Sequence, residues 1–338
     1  MRTIAPPPLS EDSLIAMIAA ACGAPSRPLR VGIGDDAAAW KPNPHHLALV
    51  TTDMIVDDVH FRTRDSSATL IGRKALAKSL SDIAAMGGRP VLAVIALGVT
   101  AELDEAWYRS FYEGMTALAR ATHCAIAGGD IVRAPALTIG VTVIGEVRKT
   151  SMRLRSGARA GDVIAVTGAL GLAAAGLRAI EMERSTLTVD RGGRFEEAID
   201  AYERPQPRID EGVFLGSCRA VHALMDISDG LSTDVRRMAR ASKVDAVIEC
   251  DELYVHPVVR DVDGDALDLI LNGGDDYELI ASIDKRAFDH VARSFRSRAG
   301  RPLRAVGRFE PGEGEVWLDR NGKRAPLEPG GYDHFKKM

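Results

Sequence analysis

The chain has 338 residues, more than one compact hydrophobic core usually holds, so we expect two domains. Hydrophobic residues make up 46% and charged residues 27% of the sequence, which argues against a disordered chain. Because 43 Lys and Arg nearly balance 47 Asp and Glu, to a net charge of −4, the composition also argues against a general nucleic-acid binder.

In the N-terminal half, apolar residues at helical or strand spacing predict alternating helices and strands. The predicted elements are, in chain order, a helix at 12–22, a strand at 46–52, a helix at 67–86, a strand at 91–97, a helix at 104–122, and strands at 124–127 and 137–147. Such alternation favours α/β or mixed α+β layering.

A basic run at 148–159 is interpreted as an interdomain connection, so the predicted domains are 1–148 and 149–338. A second series of elements follows it. These are a strand at 162–167, a helix at 170–182, a mobile polar loop at 183–194, a helix at 209–218, a strand at 222–225, a helix at 231–241, strands at 246–249, 279–283 and 303–308, and a helix at 285–298.

No segment is expected to enter a membrane. The longest uncharged apolar stretch, 163–177, is shorter than the roughly 20 residues of a membrane helix and contains three glycines. Residues 1–14 carry three prolines and two acids where a signal peptide needs an apolar run. The four cysteines lie far apart, which favours neither a disulfide framework nor a zinc site. We therefore expect a soluble, cytoplasmic protein.

Aspartates recur at the junctions between the predicted elements, often beside glycine. They stand at 35–36, 53, 82, 130, 226 with 229, and 275–276. Turn or cap chemistry explains any one of these loops, but it explains six of them less well. If the loops converge, the repulsion between carboxylates requires cations, and oxygen ligands of this kind favour Mg²⁺. Because Mg²⁺ shares its coordination with substrate phosphates, the pattern indicates phosphoryl or nucleotidyl chemistry.

Two familiar nucleotide-binding patterns do not account for these loops. The sequence has no GxxxxGK[ST] motif and no protein-kinase catalytic set. Gly32 to Ala37 fits GxGxx[GA], but the adjacent carboxylates of Asp35 and Asp36 would face the pyrophosphate. We therefore reject a dinucleotide-binding domain.

Taken together, the loops resemble thiamine-monophosphate kinase, in the superfamily that includes aminoimidazole ribonucleotide synthetase and selenophosphate synthetase. The resemblance runs from about Gly32 to Tyr332. It rests on GIGDDAA (32–38), TTDMIVDDVHF (51–61), GRKALAKSLSDIAAMGG (72–88), AGGD (127–130), MDISDGL (225–231), GGDDYEL (273–279) and GYDHF (331–335). Several ordered motifs are far more specific than any one of them.

The resemblance implies a mixed α/β (α+β) fold like that of aminoimidazole ribonucleotide synthetase. Its N-terminal domain would hold a mixed sheet with helices, bind ATP and Mg²⁺ and pair in a homodimer. Its C-terminal α/β domain would complete the nucleotide and substrate site. The implied reaction is transfer of the ATP γ-phosphoryl to thiamine monophosphate, the last step in making thiamine diphosphate, with several Mg²⁺ ions, and without a general base, a nucleic-acid partner or a membrane.

The site residues follow from the same resemblance, motif by motif. The implied metal ligands are Asp36, Thr51, Thr52, Asp53, Asp82, Asp130, Asp226 and Asp229. Implied ATP contacts are Gly129, Asp130, Arg155 and Ser228, and implied thiamine-phosphate contacts are His60, Asp275 and Tyr332. Asp35, Asp57, Asp276 and Glu278 are expected nearby but not as ligands.

Plainer explanations stay open for some of these residues. Thr51 and Thr52 are also good strand residues, His60 also suits a half-buried position, Arg155 a solvated charge and Tyr332 a packing anchor. Two positions depart from the family pattern, because Asp58 stands where Gly is usual and Ser79 where Asn is usual. Another reaction of the superfamily and a non-catalytic nucleotide-binding regulator are the alternative functions.

Overall fold

The computed structural model describes residues 11–25, 27–186, 193–262 and 265–332. Its contacts divide the chain into two compact units. The first unit contains the chain up to residue 79 together with 90–146, and the second contains 80–89 together with the chain from 147 onward. The sequence pattern did not predict that 80–89 belongs with the C-terminal half. The roles assigned above to the domains 1–148 and 149–338 stay predictions.

The first unit is built on a four-stranded sheet with the order β3-β6-β4-β5. A two-stranded sheet, β1-β2, precedes it in the sequence. Strands β4 and β5 run parallel. The helices and strands that begin in this part of the chain are α1 (Glu11–Cys22), β1 (Leu29–Val31), β2 (Ala39–Trp40), β3 (His46–Val56), α2 (Ala68–Ala85), β4 (Arg89–Val99), α3 (Glu105–Ala121), β5 (Ala125–Arg133) and β6 (Thr138–Arg148).

The strands of the first unit have two different faces, because successive side chains point to opposite sides of a sheet. One face is buried, as Ile139, Val141 and Val143 of β6 show. Helix α3 is fixed at its start by Asp104, whose carboxylate accepts the backbone N–H of Trp107 at 2.8 Å. Its apolar stripe, which includes Phe111 and Met115, is buried.

The second unit contains a seven-stranded mixed sheet with the order β13-β12-β9-β11-β7-β10-β8. Its neighbours are antiparallel except β9 and β12, which run parallel. Its elements are β7 (Val163–Thr167), α4 (Leu172–Thr186), α5 (Glu196–Glu203), α6 (Ile209–Ser217), β8 (Val221–Ile227), α7 (Leu231–Ser242), β9 (Val244–Glu249), α8 (Pro257–Val262), α9 (Ala266–Asn272), β10 (Glu278–Ile283), α10 (Phe288–Ala299), β11 (Leu303–Pro311), β12 (Val316–Arg320) and β13 (Lys323–Pro326), with 3-10 turns at Arg155–Gly157 and Cys250–Glu252.

The end of helix α2 belongs to the second unit because of close backbone contacts. A side chain on Gly212 of α6 would overlap the carbonyl oxygen of Ala84 in α2, so only glycine allows this approach. The backbone N–H of Arg153 donates to the carbonyl of Met86 at 3.3 Å. Arg89 and Asp210 form an exposed ion pair at 2.9 Å. These contacts fix residues 80–89 against α6.

The predicted mixed α/β fold is confirmed, and several element boundaries need correction. Residues 183–186, predicted as the start of a mobile loop, continue α4, and 187–192 lie outside the described residues. The helix predicted from 285 begins at Phe288, because Asp284 caps a turn by accepting the N–H of Arg286 at 2.8 Å. The sequence patterns missed β1, β2, α5, α8, α9, β12 and β13.

Candidate functional site

In the first unit, a cavity of about 620 Å³ brings three of the implied site residues together. Asp36, Gly129 and Asp130 line it, along with Asp35 from the glycine loop at 32–38. Ile15, Ile18 and Tyr112 make another part of the lining apolar. Burial raises the pKa of the Tyr112 hydroxyl above its ordinary value, so this group stays protonated. The cavity therefore joins an acidic, glycine-rich wall to an apolar one.

The acidic wall is shaped by the backbone. The N–H of Asp36 donates to Oδ1 of Asp35 at 2.8 Å, which orders the glycine loop, and both carboxylates are exposed. A side chain at position 129 would overlap the carbonyl oxygen of Ile95 on the neighbouring strand, so β4 and β5 can pair here only with glycine. Gly129 thus holds the adjacent Asp130, which is exposed, at the surface of the sheet.

The implied ligands Thr51, Thr52 and Asp53 lie side by side on β3 but do not share a face. Thr52 Oγ1 lies 3.0 Å from Thr142 Oγ1 on the exposed side of the sheet. Asp53 points the other way, where Oδ2 accepts a hydrogen bond from the fully buried Ser79 hydroxyl at 2.8 Å. Ser79, the position where the family carries Asn, therefore holds the carboxylate of Asp53. A shared role of the three residues as ligands stays a prediction.

His60 lies in a tight loop that follows β3. Its Nδ1 accepts the backbone N–H of Val56 at 3.1 Å, so a neutral ring carries its proton on Nε2. Asp57 orders the loop by accepting the N–H of Asp58 and both the N–H and the hydroxyl of Thr63, at 2.9–3.0 Å. Asp58 has φ +62, the left-handed region that glycine adopts most readily. This backbone shape suits the Gly of the family pattern noted above.

In the second unit, four implied site residues from three motifs meet in one loop cluster, which we call the SDG cluster and define as Ser228, Asp229, Asp275 and Tyr332. The N–H of Asp275 donates to the carbonyl of Ser228 at 2.9 Å. The N–H of Tyr332 donates to the carbonyl of Asp229 at 3.2 Å. The Tyr332 side chain is exposed, and residues 333–335 of its motif lie outside the described residues.

Two residues that the sequence motifs missed hold the SDG cluster from helix α7. Oδ2 of the fully buried Asp234 accepts the backbone N–H groups of Ser228 and Asp229, both at 3.0 Å. Arg237 Nη1 lies 2.5 Å from Asp229 Oδ2 and 2.7 Å from Asp234 Oδ1. Burial raises the pKa of Asp234 to about 6. The available signal was an acidic residue in the first turn of a predicted helix, which is typical of a capping contact.

The GGDDYEL loop that carries Asp275 has a strained backbone. Asp275 and Tyr277 have φ +67 and φ +50, and the second value is unusual for a bulky residue. The Tyr277 hydroxyl, deeply buried, donates to Asp275 Oδ1 at 2.7 Å. Strain of this kind persists only where surrounding contacts impose it, and it occurs frequently at functional sites. Tyr277 therefore orients the Asp275 carboxylate.

The next two acids of this loop, Asp276 and Glu278, have partners within the second unit. Asp276 accepts the N–H groups of Gly171 at 2.6 Å and Ala173 at 3.1 Å, at the start of α4. Burial raises the pKa of Asp276 to about 7. Glu278 is buried and accepts two hydrogen bonds from Arg208, at 2.9 and 2.6 Å.

The remaining implied residues also lie in the second unit. Asp226, at the end of β8, is buried and accepts a hydrogen bond from Ser81 at 2.8 Å. Asp82, the next residue along α2, is half-buried. Arg155 is exposed on a 3-10 turn, where its carbonyl accepts the Ser242 hydroxyl at 2.9 Å. The role of Arg155 toward ATP stays a prediction.

One Ser, His and Asp contact in the second unit is structural. Asp162 Oδ2 accepts a hydrogen bond from Ser282 at 2.6 Å and lies 2.8 Å from His222 Nδ1. In a hydrolytic triad the serine instead donates to the imidazole, which takes its proton. Here the carboxylate stands between the other two groups, so no base activates Ser282.

Within the described ranges, no three His, Cys, Asp or Glu side chains are grouped so that they alone could hold a metal ion. The implied ligands all bind through oxygen, and they are distributed over strands β3, β5 and β8, helix α2 and two loops. Such a set suits a cation that keeps water molecules and shares its coordination with phosphates, as Mg²⁺ does. No helix in the described part of the chain is long and apolar enough to span a bilayer.

Comparisons with known proteins agree with this architecture. Residues 34–147 match the family described as AIR synthase related protein, N-terminal domain, and residues 159–319 match its C-terminal domain. The thiamine-monophosphate kinase of Bacillus subtilis is 35% identical over 308 residues, which cover 90% of this chain and 94% of that protein. The Salmonella typhimurium protein of the same name is 33% identical over 313 residues, covering 91% and 92%.

Solved structures give the same result. The crystal structure of thiamine-monophosphate kinase from Stenotrophomonas maltophilia has a TM-score of 0.81 at 34% identity, and the match covers 94% of this chain and 98% of that one. A structure described as AaThiL complexed with AMPPCP and TMP has a TM-score of 0.75 at 29% identity, covering 99% and 100%. The hydrogenase maturation protein HypE of E. coli shares the fold at 21% identity and a TM-score of 0.78.

Proposed function

The chain belongs to the thiamine-monophosphate kinase family of AIR synthase related proteins, and from this premise we propose how its residues serve the reaction. The function is ATP-dependent phosphorylation of thiamine monophosphate to thiamine diphosphate. One structural observation carries the assignment of residues: the SDG cluster brings together three family motifs that are far apart in the sequence. The family's ATP-analogue and TMP complex supports the two substrates.

Mg²⁺ is the cofactor that these residues fit, because every implied ligand is a carboxylate or hydroxyl oxygen. In the first unit Asp36, Thr51, Thr52, Asp53 and Asp130 would hold it, and in the second unit Asp82, Asp226 and Asp229 would do so. Bound there, it supplies charge neutralisation for the phosphate oxygens. One of these carboxylates, that of Asp229, is already paired with the positively charged guanidinium of Arg237.

The protein's own groups bind and align the two substrates. We assign the base of ATP to the apolar wall of the first unit's cavity, beside Tyr112, and its phosphates to the Gly129 side. In the second unit Ser228 and Arg155 would contact ATP. His60, whose Nε2 carries the proton of the neutral ring, would donate to the thiamine phosphate, together with Asp275 and Tyr332.

The reaction requires alignment more than proton transfer. An oxygen of the acceptor phosphate forms a bond to the γ-phosphorus as the bond between that phosphorus and the bridging oxygen of ADP breaks. The attacking oxygen is already anionic at neutral pH, so no general base has to remove a proton. Positioning and charge neutralisation then provide most of the rate enhancement. We accordingly assign no residue as a base.

We propose a second copy of the chain as the protein partner, because one face of the four-stranded sheet is open. Val50 and Met54 on β3 are 70% and 61% exposed, and Val132 on β5 is 53% exposed. Large apolar side chains exposed on both edge strands of one sheet suit an interaction surface better than a solvated one. Light scattering of the purified protein should give the molecular mass of a dimer. Substitution of Val50 by a charged residue should reduce the measured mass to that of a monomer. The use of ATP supports a cytoplasmic location.

The test of the function is ADP release by the purified protein, with and without thiamine monophosphate, and mass detection of the diphosphate product. We expect ADP release to depend on the acceptor. We also expect Asp229→Asn and Asp130→Asn to reduce turnover strongly, while Asp289→Asn, an exposed aspartate of α10, does not. ATP binding without acceptor-dependent ADP release would instead favour a regulator, and a different product would favour another reaction of the superfamily.

A further inference from the structure

Ser81 lies within the motif at 72–88, but the resemblance assigns it no role in the site. Its side chain lies in the last part of α2 and is fully buried, at 0% exposure. Its hydroxyl donates to Oδ2 of Asp226 at 2.8 Å, across 145 positions of the sequence. Asp226 is itself 6% exposed at the end of β8. A buried carboxylate thus receives a hydrogen bond from a buried hydroxyl.

The helix end that carries Ser81 is firmly placed. The carbonyl of Ala84, one turn further along, packs against Gly212 so closely that a side chain there would overlap it. The carbonyl of Met86 accepts the N–H of Arg153 at 3.3 Å. Because these backbone contacts fix the helix, the Ser81 hydroxyl has little freedom to follow the carboxylate if Asp226 rotates. The hydrogen bond therefore restrains Asp226 rather than moving with it.

We propose that Ser81 is a positioning residue that orients the Asp226 carboxylate for Mg²⁺. The inference rests on the proposed function, in which Asp226 is a metal ligand. A hydroxyl donor fixed in this way holds one carboxylate oxygen of Asp226, so the other oxygen is presented to the metal in a defined orientation. Groups that hold a ligand in this way typically contribute 10–100-fold to metal affinity.

The chain provides a matched control for Ser81. Ser282, on β10 of the same unit, is also fully buried, and its hydroxyl donates to Oδ2 of the buried Asp162 at 2.6 Å. The residue type, the burial and the acceptor are the same, but Asp162 is not an implied ligand. A serine-to-alanine change costs one buried hydrogen bond in both places, so the two variants should lose similar stability. Only the change at Ser81 should alter metal binding.

The experiment compares Ser81→Ala with Ser282→Ala in the full chain. Mn²⁺ affinity is measured from the electron paramagnetic resonance signal of free Mn²⁺, with a non-hydrolysable ATP analogue present. The Mg²⁺ concentration that gives half-maximal ADP release is measured in parallel. For Ser81→Ala we expect both values to weaken by roughly 10-fold, and for Ser282→Ala we expect neither to change. Ser81→Thr keeps the hydroxyl and should keep the metal affinity even if the added methyl group lowers stability.

A double-mutant cycle isolates the contact. In an Asp226→Asn background, Ser81→Ala should cause no additional loss of Mn²⁺ affinity. Equal metal affinities for Ser81→Ala and wild type, or equal losses for Ser81→Ala and Ser282→Ala, would overturn the proposal. Failure of the proposed function is separate, because wild-type protein would then release no acceptor-dependent ADP. If Ser81→Ala does not fold, the Mn²⁺ affinity of Ser81→Thr decides. A roughly 10-fold loss of affinity in that variant, which keeps the hydroxyl, would contradict a positioning role for the hydroxyl.

Discussion

The buried pair of Arg208 and Glu278 gives the sharpest stability prediction. The Glu278 side chain is 5% exposed and the Arg208 side chain 13% exposed, and two hydrogen bonds join them. The Thr167 hydroxyl donates to the same carboxylate at 2.5 Å. Burial by itself would lower the pKa of Arg208, but the charge and hydrogen bonds of Glu278 outweigh it and raise this pKa. Glu278→Gln keeps the shape of the side chain and removes only the charge.

The expected cost follows from the guanidinium that is left behind. An unpaired buried charge usually lowers the free energy of unfolding by about 3–5 kcal/mol, a large part of the roughly 5–15 kcal/mol of a whole domain. Arg208→Met should cost toward the lower end of that range, because Arg301 lies 3.7 Å from Glu278 Oε1 and keeps part of the attraction. The double variant removes both charges and should be less destabilised than the sum of the single variants by about 2 kcal/mol.

Urea unfolding followed by circular dichroism measures these differences. The control is Glu310→Gln, because Glu310 also accepts two hydrogen bonds from one arginine, Arg324, both at 2.8 Å, together with one from Arg308 at 2.8 Å. The side chains of Arg324 and Glu310 are 41% and 30% exposed, so water screens this pair more strongly and its loss should change the unfolding midpoint much less. If Glu278→Gln proves no more destabilising than Glu310→Gln, or if the two single changes add without coupling, burial does not determine the strength of this pair and our reasoning is wrong.

Three more predictions concern single positions. Asp58→Gly should leave the thermal midpoint unchanged or raise it, while Asp58→Val should lower it, since φ is +62; the opposite order would contradict this account. The pKa of the Asp276 carboxyl is raised from the ordinary 3.8 to about 7 in the folded protein, so its contribution to the free energy of unfolding falls as pH rises from about 4 to 7. Asp276→Asn should flatten this part of the pH–stability profile, and an unchanged slope would refute the shift. Gly129→Ala should lower the free energy of unfolding by about 2 kcal/mol through the overlap with Ile95, whereas Gly128→Ala, with 4.0 Å of space, should not, and urea unfolding of the two variants checks the difference.

The sequence predicted the elements whose periodicity is strong. Helices α2 and α3 and strand β10 lie within a few residues of their predicted positions, because their apolar residues repeat at the spacing of one buried face. The hairpin of β12 and β13 has no such pattern, since every residue of β13 is exposed. Asn321-Gly322, both at positive φ, was a usable turn signal for it.

Some residues of the candidate site could be predicted from sequence motifs, and others depend on tertiary packing. Motif resemblance assigned Ser228 to ATP, Asp229 to metal and Asp275 to thiamine phosphate, and the fold brings the three residues into one loop cluster. Asp234 and Ser81 were not predicted, because their roles depend on which backbone groups or carboxylates tertiary packing places next to them. A buried serine within a helical motif gives no sign of which group accepts its hydrogen bond, and no periodicity records a contact across 145 residues.

The division of helix α2 between the two units has a consequence for how this chain can be rearranged. Neither unit is one uninterrupted piece of polypeptide, since residues 80–89 interrupt the first and complete the second. A gene fragment that starts at residue 147 would encode the second unit without residues 80–89, the segment that packs against Gly212. A single cut therefore yields no self-sufficient half. Grafting or recombination between relatives should preserve folding only when the junctions carry this ten-residue insert along with the C-terminal part.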